Sequence, residues 1–311
     1  MQNNFSRPFV TTPSLKTEFE TLHDYHYRNL ILMTISINGV LSFVTTILNL
    51  MIIVTFAKTP SLREVPSNIL ILGLAVSDFG VGVVAQPLFC VLKLVQLKGD
   101  ARLTEAIDTL FICSCYVLTS VSFLTVTAIT VDRFLAIKLH LRYNELVTTK
   151  RHSIALVLIW IVCSFNIALK DFYKIQIFFN ILTAILCSIL FLNICLLFKI
   201  SRIVRSHSLQ IQAQERSVEQ AIDIPRYKKS VNTIYYVVGA FVLCYVLYIV
   251  KMIGLNFVAK TQNMEVFFAM AVTIAMFNSV INPLIYCWRI EEMRLAAKKI
   301  IRGICRRGEY H

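Results

Sequence analysis

Seven stretches of this chain, each of about 20 residues or more, are apolar almost throughout. They lie near residues 30–57, 66–94, 104–138, 150–169, 172–205, 226–253 and 262–287. Wound as helices, runs of that length match the roughly 30 Å hydrocarbon thickness of a bilayer. In water they would be exposed and would drive aggregation. Hydrophobic residues make up 57% of the chain and charged residues 16%, against about 45–50% and about 25% in soluble domains. The expected fold is an all-α membrane protein: a seven-transmembrane helix bundle, in one domain. Residues 1–29 are expected as an extracellular N-terminal tail. Residues 30–288 would form the membrane domain, and 289–311 an amphipathic surface helix with a short cytoplasmic tail.

The formal net charge of +13 does not point to nucleic acid, because the basic residues are not gathered into a patch of the kind that binds phosphates. With the N-terminus outside, 21 of the 31 Lys and Arg fall in the cytoplasmic connectors and tail, but only half of the acids. That skew is the positive-inside pattern, and it also favours contact with anionic lipid headgroups. No cleavable signal peptide is visible, since residues 1–29 are polar. The first span is therefore expected as an uncleaved anchor. Asn4-Phe5-Ser6 is a glycosylation sequon. Eight of the nine cysteines lie within or at the ends of apolar segments, where Cys packs as a small apolar residue; no disulfide is expected. Cys305 differs, because it sits in a basic juxtamembrane stretch suited to palmitoylation. From Arg289 to about residue 303, Ile, Leu, Met and Ala alternate with Lys and Arg, the pattern of a helix lying on a leaflet.

An ionisable group inside a span is costly, so it carries the most information. Asp78 is the clearest case. Ser122 in the third span and Asn278, Ser279 and Asn282 in the seventh offer neutral oxygens. A carboxylate with such neighbours suits a small dehydrated cation; alternatively, the groups hydrogen-bond one another. Cys115, Thr119, Ser122, Val126, Ile129 and Arg133 step by three and four along one face of the third helix. That stripe is about 27 Å long, nearly the membrane thickness, and ends beside Asp132. Phe241, Cys244, Tyr245 and Tyr248 share a face of the sixth helix; Pro283 interrupts the seventh, where Tyr286 lies four residues beyond Asn282 on the same side. A transporter should show duplicated halves and broken helices, and neither is apparent. A membrane enzyme would need a His/Cys cluster or paired carboxylates in the spans, yet the histidines lie outside them or, for His152, at the very start of one. No enzymatic activity is expected.

Asn49, Leu74-Ala75-Val76-Ser77-Asp78, Asp132-Arg133-Phe134, Trp160, Phe241…Cys244-Tyr245 and Asn282-Pro283-Leu284-Ile285-Tyr286 occur in this order. Together they resemble the rhodopsin-like (class A) G-protein-coupled receptors, in pattern most like the melanocortin, lysophospholipid, cannabinoid and adenosine receptors. The resemblance implies a plasma-membrane receptor that signals to a heterotrimeric G protein, with arrestin as a further partner and no cofactor beyond an allosteric sodium ion. By the same resemblance Asp78, Ser122, Asn278, Ser279 and Asn282 fall on the family's sodium pocket. Asp132 and Arg133 match the coupling motif, Phe241 and Tyr245 the transmission site, and Asn282 and Tyr286 the inner switch. The implied ligand pocket comprises Leu88, Phe89, Cys115, Tyr116, Thr119, Tyr248, Ile249, Met252, Val272 and Met276, which suits a lipid or small apolar molecule. Lys93 and Lys251 fall at its rim, a combination that suits an apolar ligand with an acidic end; alternatively, both side chains simply reach back to the membrane interface.

The departures are specific. Asp108 stands where the family carries a bridging Cys. The position of the amine-binding Asp is Cys115, that of the retinal Lys is Met276, and that of the adenosine receptors' Asn is Met252. Tyr245 replaces the usual Trp of helix six, Leu247 replaces its Pro, and Tyr227 replaces the acid that locks Arg133. A weaker inactive-state clamp and raised basal activity are expected. The helix-six losses leave room for a receptor-like protein that no longer signals through G proteins, and a transporter or channel is the more distant alternative.

Overall fold

The computed structural model describes residues 15–139, 142–168, 175–214, 224–254 and 261–308. All regular structure among them is helical. The long helices are α1 (Leu15–Lys58), α2 (Pro66–Lys98), α3 (Ala101–Leu139), α4 (Thr149–Ala168), α5 (Ile175–Gln214), α6 (Ile224–Gly254), α7 (Gln262–Arg289) and α8 (Glu291–Gly308). Single short helices, Pro60–Glu64 and Tyr143–Leu146, sit in the first and third connections. Among the described residues, α1, α2, α3, α5, α6 and α7 are each long and apolar enough to cross a membrane. The 20 residues of α4 reach about 30 Å and supply the fourth crossing. The seven close into a bundle: α1 packs on α2 and α7, α7 on α6, and α6 on α5, while α3 touches α2, α4, α5 and α6. Polarity is inverted relative to a soluble protein. Leu243 is 73% exposed and Phe191 69%, whereas Asp78, Asn38 and Asn282 are fully buried.

The helix ends follow local chemistry. Pro60 and Pro66 open their helices at positions where a missing N–H is harmless. Gly99, at φ 76°, ends α2, with its N–H donated to the Gln96 carbonyl. Thr261 caps α7 by accepting from the Met264 N–H. Within α2 the turn Val81–Ala85 is wound as a π-helix, one turn beyond Asp78, a feature the sequence reading does not foresee. Gly82 lies in it against α1; a Cβ there would meet Thr46 Oγ1 at 2.6 Å and Thr46 N at 2.8 Å. The Ser42 hydroxyl donates to the Gly82 carbonyl at 2.7 Å, tying the widened turn to α1.

Two boundaries differ from expectation. The expected tail, 1–29, is helical from Leu15 onward. Its last turns are held by α7, where the Tyr27 hydroxyl donates to Glu265 at 2.7 Å and Gln262 donates to Asp24 at 2.8 Å. The amphipathic helix runs over Glu291–Gly308 rather than 289–303, because Ile290 is extended (φ −100°, ψ 104°) and turns the chain out of α7. Met293 and Ala297 bury its apolar face. Asn4 and the side chains of Cys305 and Tyr227 lie outside the described residues. The eight described cysteines are free thiols.

Candidate functional site

Asp78 is the centre of the buried polar network. Its Oδ1 accepts from Ser279 Oγ at 2.8 Å and from Ser122 Oγ at 3.4 Å, and its Oδ2 accepts from Asn282 Nδ2 at 2.8 Å. Three helices, α2, α3 and α7, therefore meet on one carboxylate. Ser77, which the motif contains but which was not singled out, lies 2.9 Å from Ser122, hydroxyl to hydroxyl. Asn278 is buried beside this network without a hydrogen bond to Asp78, and both of its amide atoms lack a partner; so does Asn282 Oδ1. All the hydrogen-bond partners of Asp78 are neutral, so its charge, if present, is not balanced by a cationic side chain among the described residues. Chemically, a carboxylate with two hydroxyls on it, next to the unpartnered amide oxygens of Asn278 and Asn282, offers hard-oxygen donors that suit a small cation.

Asn49 reveals a second reason for the arrangement. Pro283 has no N–H, so the carbonyl four residues earlier, that of Ser279, loses its helical partner. Asn49 Nδ2 donates to that carbonyl at 3.0 Å, which repairs the gap from α1. α7 consequently remains one helix through its proline. Sequence inspection places Asn49 in the family motif, but not against this carbonyl.

At the α8 end, Asp132 is 2% exposed and takes four contacts. On Oδ2 it accepts from Arg133, Nε at 3.0 Å and the terminal guanidinium nitrogen at 2.7 Å. On Oδ1 it accepts from the Tyr143 hydroxyl at 2.7 Å, and His152 Nε2 lies 3.2 Å away. Tyr143 comes from the short helix after α3 and His152 from α4. Burial first, and then the Asp132 carboxylate, push the Tyr143 phenol above its ordinary value, so it stays a donor at physiological pH. In the sequence His152 stands at the start of the fourth apolar run, and its spacing from Asp132 carries no signal of this contact.

Level with the Asp78 network, one residue along α3 from Ser122, lies an aromatic cluster. Phe123 of α3 stands edge-on to Phe241 at 5.1 Å and to Tyr245 at 4.5 Å, and Phe241 stacks on Tyr245 at 5.5 Å. Phe123 is the member the sixth-helix stripe did not reveal. Tyr286 is buried on α7 with its hydroxyl unpartnered. Above, towards the Lys93 end, Leu88, Phe89, Cys115, Tyr248, Val272 and Met276 join one apolar cluster. Met252 is buried, and Ile249 is half-buried against the neighbouring core. Thr119 Oγ1 lies 3.9 Å from Cys115 Sγ. Tyr116 packs instead on Phe178 of α5, centroid to centroid 5.7 Å.

Seven crossings, a surface helix and three stacked buried layers define a seven-transmembrane receptor fold. A family model of the seven-transmembrane receptors of the rhodopsin family matches residues 48–176 and 161–286. The chain belongs to that family, and is a G-protein-coupled receptor of the rhodopsin-like class. Among its relatives, melanocortin receptor 5 of Rattus norvegicus is 27% identical over 270 residues, covering 84% of this chain and 82% of the relative. Melanocortin receptor 4 of Danio rerio is 29% identical over 294 residues, covering 88% and 85%. Adenosine receptor A2b of Gallus gallus is 26% identical over 288 residues, covering 78% and 81%. Such proteins are receptors and not, in general, enzymes.

Proposed function

We propose that this receptor sits in the plasma membrane with the Lys93 end of the bundle outside and the Arg133 end in the cytoplasm, and that its resting state is favoured by a sodium ion at Asp78. The domain organisation is the tail, the receptor domain 30–288 and the surface helix with its short tail, with residues 15–29 continuing α1. Asn4 is its glycosylation site and Cys305 its palmitoylation site. Heterotrimeric G protein engages Arg133 once Asp132 releases it, arrestin competes for the same face, and α8 lies on the lipid headgroups. Phe241 and Tyr245, with Tyr286 below, relay movement of α6 and α7 between the ligand pocket and that face. The ligand is a small molecule or lipid received by the apolar cluster around Phe89, Cys115, Tyr116, Thr119, Tyr248, Ile249, Met252, Val272 and Met276.

The observation that carries the sodium reading is the fully buried Asp78 with only neutral donors, beside unpartnered amide atoms of Asn278 and Asn282. Asp78, Ser122, Ser279, Asn282 and Asn278 would hold the ion. It would supply the missing positive charge and draw α2, α3 and α7 together. A ligand shifts such an equilibrium only by binding one state better, so sodium acts by preferring the closed arrangement. Agonist-free G-protein activation in membranes is expected to be several-fold lower in sodium chloride than in N-methylglucamine chloride of equal ionic strength. The Asp78→Asn variant should lose that difference. An equal response to both salts in the wild type overturns the sodium reading. A second reading, loss of G-protein signalling, is favoured by Tyr245 and Leu247 in place of the usual Trp and Pro. It requires that wild type and Arg133→Ala give the same signal with every G protein at matched surface expression.

A further inference from the structure

Lys251, in the last turn of α6, turns toward α7. Its ammonium lies 5.2 Å from the ring centre of Tyr248 and 5.7 Å from that of Phe268 on α7. It is thus held inward, half-buried, within electrostatic range of Cys115 and Asp108 on α3 and of Lys93 on α2. Lys93 donates to Gln96 Oε1 at 2.8 Å and stands 6.0 Å from the Phe89 ring. Neither ammonium forms an ion pair among the described residues. Two lysines therefore converge at one end of the apolar cluster around Phe89, and among the described residues Lys251 touches ring faces, with the Asp108 carboxylate acting on it only at longer range. Ring faces stabilise a cation less than a charged hydrogen-bond partner does.

From this geometry we infer that the pocket takes an amphiphile with one anionic head, a carboxylate or a phosphate monoester, seated at Lys251 with Lys93 beside it. This rests on the ligand pocket proposed above. The body of the ligand lies in the uncharged cluster of Phe89, Cys115, Val272 and Met276. A cationic ligand would meet two like charges. A polyanion is disfavoured as well, because Asp108 and Glu265 lie within electrostatic range of Lys93 and offset part of the positive field. A single compact anionic head, with about one to two negative charges, suits two ammonium groups that the nearby carboxylates partly offset.

The test uses the full-length receptor in phosphatidylcholine nanodiscs, read by thermal unfolding. The probes are oleic acid, oleoyl lysophosphatidic acid and the neutral oleyl alcohol. Oleic acid or lysophosphatidic acid is expected to raise the midpoint, and oleyl alcohol is not; which acid acts separates a carboxylate from a phosphate source. Lys251→Gln should weaken the acidic probe by roughly 10- to 100-fold, Lys93→Gln by less, and Lys251→Arg should retain binding. If Lys251→Gln is unstable, Lys251→Arg against Lys93→Gln carries the comparison. Equal binding of alcohol and acid overturns the inference. So does a loss with Lys298→Gln on α8 as large as with Lys251→Gln, since that is adsorption to a basic surface. The agonist-free comparison with Arg133→Ala, run on the same preparations, reports on G-protein coupling separately. Coupling can thus fail while the anionic clasp stands, or the reverse.

Discussion

Asp132 illustrates how much of a residue's behaviour is set by its neighbours. Arg133 holds one carboxylate oxygen, while Tyr143 and His152 hold the other. The two sets do not compete for a lone pair on the same atom; Tyr143 and His152 orient the carboxylate that retains Arg133. Removing either donor should loosen that grip. His152→Ala and Tyr143→Phe are each expected to raise agonist-free G-protein activation a few-fold at matched surface expression. Basal activity unchanged in both would show that Arg133 is retained by other contacts. The motif around Arg133 was legible because the residues are adjacent in the chain. His152 was not, because a histidine at the start of an apolar run reads equally well as an interfacial residue.

At the level of elements, α7 depends on a residue of α1. Its proline leaves the Ser279 carbonyl without its helical donor, and Asn49 supplies one across 230 positions of sequence. An unsatisfied buried carbonyl costs about 1–3 kcal/mol. Asn49→Ala should therefore lower thermal stability by that order, measured on purified receptor, and should do so without any change in ligand. Asn49→Ala as stable as wild type would mean that α7 bends to satisfy the carbonyl elsewhere. The π-helical turn in α2 works on the same principle: its Gly82 carbonyl is met by Ser42 of α1, and the absence of a side chain at Gly82 permits the approach. Most spans came within a few residues of the observed helices, because long apolar runs are set by composition; α5 runs nine residues further, to Gln214, through a polar stretch. The start of α1 was missed, since its first turns are polar; further along, Asp24 and Tyr27 take their partners from α7.

For the molecule as a whole, the consequence is a balance between two states set from both faces. On the proposed mechanism, sodium at Asp78 and the Asp132 grip on Arg133 would favour rest, and the sixth helix carries Tyr227 where an acid would reinforce them. Tyr227→Glu introduces that acid among Arg226, Lys228 and Lys229. It is expected to lower agonist-free activation by several-fold relative to wild type. Comparable activation in the two proteins would argue that the resting state needs no such clamp here.

The sequence alone determined the solvent, the number of crossings and the family. Each of these follows from contiguous runs of residues, or from short motifs whose order survives at 27% identity. It also named most of the groups on Asp78, because polar residues inside a span are few and costly. Only the tertiary structure decided how they are used. It placed Asn49 on an orphaned carbonyl, His152 on Asp132, Phe123 between Phe241 and Tyr245, and Lys251 toward α7. These contacts join residues tens to hundreds of positions apart, on helices whose rotation about their axes is fixed by packing against several neighbours at once. The residue types that bury polar groups can be read along a chain; which partner satisfies each one is settled when the helices close.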